Sequence, residues 1–348
     1  MSSMSAATLT RPAARGSNFA GLSQLIVGAG LMKRRPGYYL ARIGVVATLY
    51  VAGWVAFVAV GDSWYQLIIA VYLAVATAQL ALFAHDIAHR QVFRTRRASE
   101  IAGLVAGNLG IGMSYGWWMD KHTRHHANPN HECRDPDVAP NVLVWSTRQA
   151  RVSRGAARVI GGWQAYLFVP LLTLQGVSLH VNSVRALARP SLRNRSMEAV
   201  LLFLHFAAYL AAVLLVLSPA KAIAFLAINN ALFGVYLGLT FAPNHKGMEM
   251  LTDDGEQPDF LRRQVLTSRN VRGGHLINVL LGGLNYQIEH HLFPSMPSAN
   301  LRRARPIVRD YCAQLGVAYT EAALVDSYRQ ALRHLHAAGA PLRHPSSA

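Results

Sequence analysis

Four long apolar segments constrain the fold of this chain more than any other feature of its sequence. They cover about residues 38–60, 63–84, 198–217 and 220–243. An α-helix of about 20 apolar residues crosses the hydrocarbon core of a bilayer, and each segment meets that length. Only Gly61-Asp62-Ser63 separates the first two segments and Ser218-Pro219 the last two. With 52% hydrophobic and 15% charged residues, we predict an all-α integral membrane protein with four transmembrane helices in two hairpins.

Basic residues flank these segments on one side of the predicted membrane. They cluster at residues 33–35, 90–97, 185–195 and 262–263. Lysine and arginine gather in the cytoplasmic loops of membrane proteins, so we predict cytoplasmic termini. The net charge of +17 is then explained by these loops and by contact with anionic lipid. Because no nucleic-acid-binding motif accompanies it, we expect no nucleic-acid partner.

The rest of the chain divides around the membrane domain. Residues 1–36 contain no acid and are predicted to form a basic tail with an interfacial helix. Residues 37–312 form the membrane domain, and residues 313–348 a C-terminal cytoplasmic helix and tail. Ser298 and Thr320 are predicted to cap helices in the C-terminal part. Two other apolar stretches, 101–118 and 156–180, are long enough to cross by hydropathy alone.

Histidines cluster just outside the apolar segments. The clusters are His85 and His89, then His122, His125 and His126, then His290 and His291. Spacings of three or four residues place side chains on one face of a helix, and imidazole is the commonest metal ligand among side chains. His245, directly after the fourth segment, is an eighth candidate ligand. Eight imidazoles exceed the capacity of one metal ion, so we predict a two-metal centre, with iron favoured over copper and zinc.

One centre can use all three clusters only if they lie on the same side of the membrane. We therefore interpret 101–118 and 156–180 as interfacial or re-entrant helices beneath a cytoplasmic domain. Ligating histidines usually donate their second N–H to a carboxylate or a carbonyl. Asp86, Asp135, Asp137 and Glu289 are candidates for that role, with ordinary loop or cap roles as the alternative. His205 is interpreted as a packing or hydrogen-bonding residue, and His180 as a surface residue.

The sequences HDIAH, HTRHH and QIEHH, in this order around two hairpins, resemble those of membrane fatty acid desaturases. The resemblance covers about residues 38–312. NVRGG at 270–274 and GLNYQIEHHLFP at 283–294 are especially similar to bacterial acyl desaturases related to the front-end and linoleoyl-type enzymes. The resemblance implies a four-span fold in a bacterial inner membrane, with a cytoplasmic cap that holds two iron ions. The seven cluster histidines and His245 match the ligands of that family.

The third cluster departs from the commoner all-histidine form, because Gln287 stands where another histidine is usual. Whether Gln287 binds iron, acts through a water or only tunes the centre is left open. Asn244 is a candidate to hold such a water.

The resemblance implies oxygen-dependent desaturation of a fatty acyl chain, with dioxygen as co-substrate and a cis double bond as the product. The acyl carrier is coenzyme A or a glycerolipid. No cytochrome-b5-like His-Pro-Gly-Gly motif occurs in the sequence, so we expect an external electron donor, a ferredoxin or a flavin reductase. Four arginines of the predicted cytoplasmic rim are candidate contacts for a phosphate group of coenzyme A or lipid, and inside-positive topology explains them at least as well: Arg262, Arg263, Arg269 and Arg272.

Two other functions stay open at this point. A related di-iron membrane hydroxylase of alkanes or carotenoids would carry similar histidine clusters, and product analysis would distinguish it. A metal transporter would place polar ligands within the spans, whereas here they concentrate outside. The pattern does not predict the position of the double bond, the chain length or the carrier.

Overall fold

The first hairpin follows directly from the apolar pattern. The computed structural model describes residues 18–255 and 257–343, so the tail predicted at 1–36 lies partly outside the described residues. Three helices open the described chain: α1 (Asn18–Gly28), α2 (Pro36–Val60) and α3 (Gln66–Ala88). Helices α2 and α3 have mean hydropathies of 2.2 and 2.3 and pack against each other. They approach closely at Gly53, where an added Cβ would lie 2.5 Å from Leu73 Cδ2.

The first ambiguous stretch, 101–118, is broken rather than continuous. It contains the end of α4 (Arg96–Leu104), a π-helix (Val105–Ile111) and the start of α5 (Tyr115–Ala127). Gly112 has a φ of 76°, in the left-handed region that glycine adopts without strain. The hydroxyl of Ser114 then accepts from the backbone N–H of Trp117 and caps α5. The π-helix therefore ends before Gly112, and α5 begins as a separate helix.

The second ambiguous stretch, 156–180, is bent. This region contains α6 (Thr147–Val152), α7 (Gly155–Gly161), α8 (Gln164–Leu172) and α9 (Gln175–Ala186). Helices α8 and α9 meet at an angle of 68°. Counted as one broken span, the pair would raise the number of candidate spans among the described residues from four to five. Such a bend is also the shape of the re-entrant segment that we predicted.

The second hairpin is formed by α10 (Arg195–Val216) and α11 (Pro219–His245), with mean hydropathies of 2.5 and 1.8. Helix α11 packs mainly against α3 and α9, whereas α10 packs mainly against the π-helix. Glu198 of α10 is buried and accepts from Asn108 Nδ2 (3.1 Å), Ser114 Oγ (2.6 Å) and Gly116 N (3.1 Å). One buried carboxylate thus holds both ends of the break between the π-helix and α5.

The remaining described chain packs around the ends of α3 and α11. Its elements are α12 (Phe260–Leu266), β1 (Asn270–Arg272), α13 (His275–Leu280), α14 (Gln287–Leu292), α15 (Ser298–Gln314), β2 (Glu321–Ala323), α16 (Leu324–Ala338) and α17 (Ala340–Arg343). Strands β1 and β2 pair in parallel, with Asn270 opposite Glu321. The fold is therefore mostly helical, but it is not purely α.

Both predicted caps in this region are corrected. Ser298 begins α15, but its hydroxyl donates to Asp86 Oδ2 (2.8 Å) and does not cap the helix. Thr320 caps no helix, because residues 321–323 form β2 and α16 begins at Leu324. In each case a contact with a distant part of the chain replaced the local one.

Candidate metal centre

The eight predicted histidines meet in two neighbouring groups. The five-histidine group contains His85, His89, His122, His126 and His290. The three-histidine group contains His125, His245 and His291. Within each group, one ring nitrogen from every member lies within 4.8 Å of those of all the others. All eight histidines singled out in the sequence therefore lie in these two groups, while their division between the groups emerges only from the fold.

Helical geometry explains the division. His122 and His126 are four residues apart on α5 and project toward the five-histidine group, whereas His125 belongs to the other group. His290 and His291 are neighbours on α14, where successive side chains diverge by about 100°. Their ring centroids are 5.8 Å apart, and each joins a different group. Helices α5 and α14 thus each contribute histidines to both groups.

The three-histidine group has its second nitrogens already hydrogen-bonded. His125 Nδ1 lies 3.0 Å from Asp135 Oδ2, His245 Nδ1 lies 3.0 Å from the Thr267 carbonyl, and His291 Nδ1 lies 3.0 Å from Gln264 Oε1. Each acceptor keeps a proton on Nδ1 and so leaves Nε2 as the nitrogen with a lone pair that could bind a metal ion. Nε2 of His245 lies 2.9 Å from Gln287 Nε2. Asp135 was among the predicted acceptors. Gln264 and Thr267 were not, and no local sequence signal marks them.

In the five-histidine group, ring nitrogens of the five imidazoles converge on one point. His122 Nε2 lies 2.8 Å from His89 Nε2 and 3.1 Å from His126 Nε2. His85 Nε2 and His290 Nε2 are buried with no hydrogen-bond partner among the described residues. Burial lowers the pKa values of His122, His126 and His290 well below the usual range, with neighbouring histidines adding to the effect. Neutral imidazoles whose nitrogens converge on one point fit a divalent transition metal ion.

The predicted acids play different parts. Asp137 Oδ1 lies 2.5 Å from Lys121 Nζ, and Asp137 Oδ2 lies 3.4 Å from His125 Nδ1. Burial alone would raise the pKa of Asp137, but Lys121, His125 and Lys246 together outweigh it and the pKa is lowered. Asp86 accepts from Arg42 and Ser298 and lies 3.8 Å from His85 Nδ1. Both acids therefore lie against a member of the histidine groups.

Glu289 faces away from the histidines. Its carboxylate accepts from Asn270 Nδ2 at 2.8 Å and from the Tyr319 hydroxyl at 2.6 Å. Burial raises the pKa of Glu289 to about 7. Because Asn270 Oδ1 also accepts from the backbone N–H of Ile288 at 3.0 Å, this network ties α14 to strand β1. Glu289 therefore helps to hold in place the helix that carries His290 and His291.

Gln287 and Asn244 lie at the three-histidine group. Gln287 Nε2 is 2.9 Å from His245 Nε2, and Asn244 Nδ2 is 3.3 Å from Gln287 Oε1. Among the described residues, no fourth histidine joins this group, and the side chain of Gln287 lies next to it instead.

Two further histidines bind the π-helix. His205 Nδ1 lies 2.8 Å from the Leu109 carbonyl and His180 Nε2 lies 3.1 Å from the Ile111 carbonyl. These carbonyls end a helix and lack intrahelical partners. His205 is the hydrogen-bonding residue that we predicted, whereas His180 is partly buried rather than a surface residue.

Both histidine groups open onto one cavity of about 310 Å³. His85 and His122 of the first group and His125 and His245 of the second lie in its wall. Much of the remaining wall is apolar and comes from α3, the π-helix, α9 and α11; it includes Leu82, Ile111, Leu179, Leu237 and Phe241. An apolar cavity with a few polar groups in it is the usual form of a small-molecule site.

Three charged side chains also line this cavity: Lys121, Asp137 and Lys246. Both lysines are direct sequence neighbours of candidate ligands, since Lys121 precedes His122 and Lys246 follows His245. This adjacency in the sequence already indicates that both lysines lie near the histidines, but they were not among the predicted site residues. The arginines considered instead for phosphate contacts do not line the cavity. Arg269 is fully buried and donates to the carbonyls of Pro243 and Lys246, so its proposed surface contact is wrong.

Comparison with known proteins identifies the family. A family model described as "Fatty acid desaturase" matches residues 62–323 of this chain. The chain belongs to the fatty acid desaturase family. This confirms the family that the three histidine clusters predicted.

Similar desaturases occur in several eukaryotes. An acyl-lipid (9-3)-desaturase of Physcomitrium patens is 32% identical over 274 residues, which cover 76% of this chain and 51% of that protein. A Delta(5) fatty acid desaturase of Caenorhabditis elegans is 29% identical over 330 residues, or 91% of this chain and 72% of that protein. Fatty acid desaturase 3 of Bos taurus is 28% identical, with 92% and 73% covered. This desaturase-family chain thus spans about half the length of the moss relative and nearly three quarters of the other two.

Proposed function

We propose that this chain desaturates fatty acyl chains at a centre of two iron ions, with dioxygen as co-substrate. The observation that carries the proposal is that both histidine groups open onto the same largely apolar cavity. An acyl chain that fills the cavity would lie beside both metal sites at once. The five-histidine group would hold one ion, and the three-histidine group, with Gln287 beside it, would hold the other.

The overall reaction breaks two C–H bonds on adjacent carbons and forms one carbon–carbon double bond. Dioxygen, the two substrate hydrogens, two protons and two electrons give two molecules of water. The bound iron would supply the oxidising chemistry, and an external donor, a ferredoxin or a flavin reductase, would supply the electrons. The acyl group would be carried by coenzyme A or by a glycerolipid.

The residues of this chain orient the ligands and exclude water. Trp118 stacks on His122 with ring centroids 4.4 Å apart and fixes the plane of that imidazole. Asp135, Thr267 and Gln264 hold the Nδ1 protons of the three-histidine group and so aim each Nε2 inward. The apolar walls would keep bulk water from the oxidising centre that bound iron would form, and so would suppress side reactions.

We further propose that the metal centre and both termini face the cytoplasm of a bacterial inner membrane. The blocks of lysine and arginine beside the spans support this orientation. An acyl chain would then pass from the inner leaflet into the cavity, while a soluble electron donor would reach the opposite face of the centre.

The direct test is expression in a host that lacks the activity, followed by mass spectrometry that locates new double bonds. We expect about two iron ions per purified chain. His125→Ala should abolish desaturation and leave membrane insertion intact, while His275→Ala, at an exposed histidine outside both groups, should retain activity. An oxygenated product would favour the hydroxylase function. Bound metal with no turnover under oxygen and reductant would favour a metal transporter.

A further inference from the structure

Lys246 lies in the cavity beside the metal centre. It follows His245, the last residue of α11, and it lines the same cavity as the histidines. Its ammonium nitrogen is 4.1 Å from the centroid of the Trp145 ring and 3.3 Å from the backbone carbonyl of Asp137. Trp145 and Asp137 line the cavity as well. The side chain is thus held in place by two contacts on the cavity wall.

The charge of Lys246 is not paired. No carboxylate oxygen of the described residues lies within 4.0 Å of its ammonium. Lys121, the other lysine of the cavity, differs, because it forms an ion pair with Asp137 at 2.5 Å. An ammonium has three N–H donors, and the Asp137 carbonyl accepts only one of them. Lys246 therefore retains donors that face a cavity whose walls are otherwise largely apolar.

A ligand that suits this arrangement has one polar oxygen and a long apolar chain. Lys246 is half-buried, and a ligand that fills the cavity would take its ammonium out of water. That is costly unless the N–H groups are hydrogen-bonded, and a carbonyl or carboxylate oxygen would satisfy them. The apolar wall formed by residues such as Ile111, Leu179 and Leu237 would cover the rest of the molecule. The head of an acyl chain offers such an oxygen as a carboxylate, a thioester or an ester.

We propose that Lys246 binds the carbonyl oxygen at the head of the acyl chain and so sets the register of the chain against the two metal sites. The inference rests on the proposed function. With the head anchored, the number of carbons between the carbonyl and the histidine groups decides which bond lies beside the metal ions. Without the anchor the chain slides, and neighbouring bonds are presented in its place.

The test uses Lys246→Met, which keeps the aliphatic stem and removes the charge, and Lys246→Arg, whose larger cation displaces the head. Lys33→Met is the matched control, because Lys33 is exposed and lies outside the cavity. Each chain is expressed in the same host, and mass spectrometry locates the double bonds. Binding of oleic acid, oleoyl-coenzyme A and dioleoyl phosphatidylcholine to the purified, iron-loaded protein is followed by tryptophan fluorescence. These probes present a carboxylate, a thioester and an ester.

Lys246→Met should spread the double bond over neighbouring positions and weaken binding of the preferred probe about tenfold, the effect of one charge-assisted hydrogen bond. Iron content should not change. Lys246→Arg should move the double bond to a new position and still bind the probe. If the Lys246→Met variant fails to accumulate, the double-bond position in Lys246→Arg tests the inference alone. The probe with the largest loss identifies the carrier.

Two results would overturn the inference. One is a single, wild-type double-bond position with unchanged affinity in both variants. The other is a parallel loss of iron and thermal stability with no change of position, which would make Lys246 a support of the metal centre. Failure of the proposed function is distinct, because the wild-type chain would then form no double bond at all.

Discussion

Asp135 offers the sharpest test of how the three-histidine group is built. The residue is 2% exposed. Its two oxygens lie 3.1 and 3.0 Å from His125 Nδ1, and they accept from the backbone N–H groups of Asn130 and Asp137, each at 2.8 Å. The carboxylate therefore fixes the orientation of His125, a candidate ligand, and the loop that follows α5. Asp135→Asn keeps the shape of the side chain but removes the charge and one acceptor.

The expected magnitude follows from these contacts. Loss of the carboxylate that polarises a ligating histidine lowers metal affinity by about 10–100-fold, or about 1.4–2.7 kcal/mol. In addition, the amide NH₂ must face one of the two backbone N–H groups, and an unsatisfied buried donor costs about 1–3 kcal/mol of stability. Because Asp135 contacts the three-histidine group alone, only one of the two metal sites should weaken.

Anaerobic titration of the metal-free protein with Fe²⁺ measures this effect. The wild-type chain should bind two ions, and Asp135→Asn should show one unchanged and one weakened site. Asp253→Asn is the control, since Asp253 is a half-exposed acid 3.5 Å from His131, a histidine of neither group. Equal affinities in Asp135→Asn and the wild type, or equal weakening of both sites, would refute the assignment of Asp135 to His125.

Two further predictions concern the scaffold. Glu198→Gln should destabilise the protein by about 1–3 kcal/mol and lower its iron content, because an amide cannot accept from all three donors around Glu198. Thermal unfolding in detergent measures the loss, with Glu100→Gln, at a partly exposed glutamate, as the control. Equal unfolding temperatures for the two variants would contradict the role of Glu198. Gly53→Leu should cost about 1–3 kcal/mol by forcing α2 from α3, since a Cβ there meets Leu73 at 2.5 Å. Gly44→Leu, at a site with open space, should unfold as the wild type does, and the same result for Gly53→Leu would show that the helices do not pack there.

The sequence predicted the apolar spans and the histidines that lie together because both depend on local patterns. About 20 apolar residues in a row admit few structures other than a membrane helix. Similarly, two histidines four residues apart on a helix share a face whatever surrounds them, as His122 and His126 do. The order of the three clusters along the chain was sufficient to indicate the family.

Features that depend on distant contacts were not predictable in this way. The break between the π-helix and α5 is held by Glu198, 84 residues from Ser114. Gln264 becomes an acceptor for His291 only because α12 packs against α14. Arg269 has the composition of a surface residue, but the fold surrounds it with backbone carbonyls. Each of these positions is decided by tertiary packing, which a local pattern does not contain.

The parallel pairing of β1 with β2 implies an order of assembly during translation. Residues 270–272 cannot find their partner until residues 321–323 have left the ribosome. The following helix α16 supplies Gln330, which accepts from Arg269, and the Leu335 carbonyl, which accepts from Gln164 of α8. Arg269 in turn holds the Pro243 carbonyl beside His245. Both hairpins therefore leave the ribosome before the last support of the three-histidine group, so the surroundings of that group are completed by a segment that follows both hairpins in the chain.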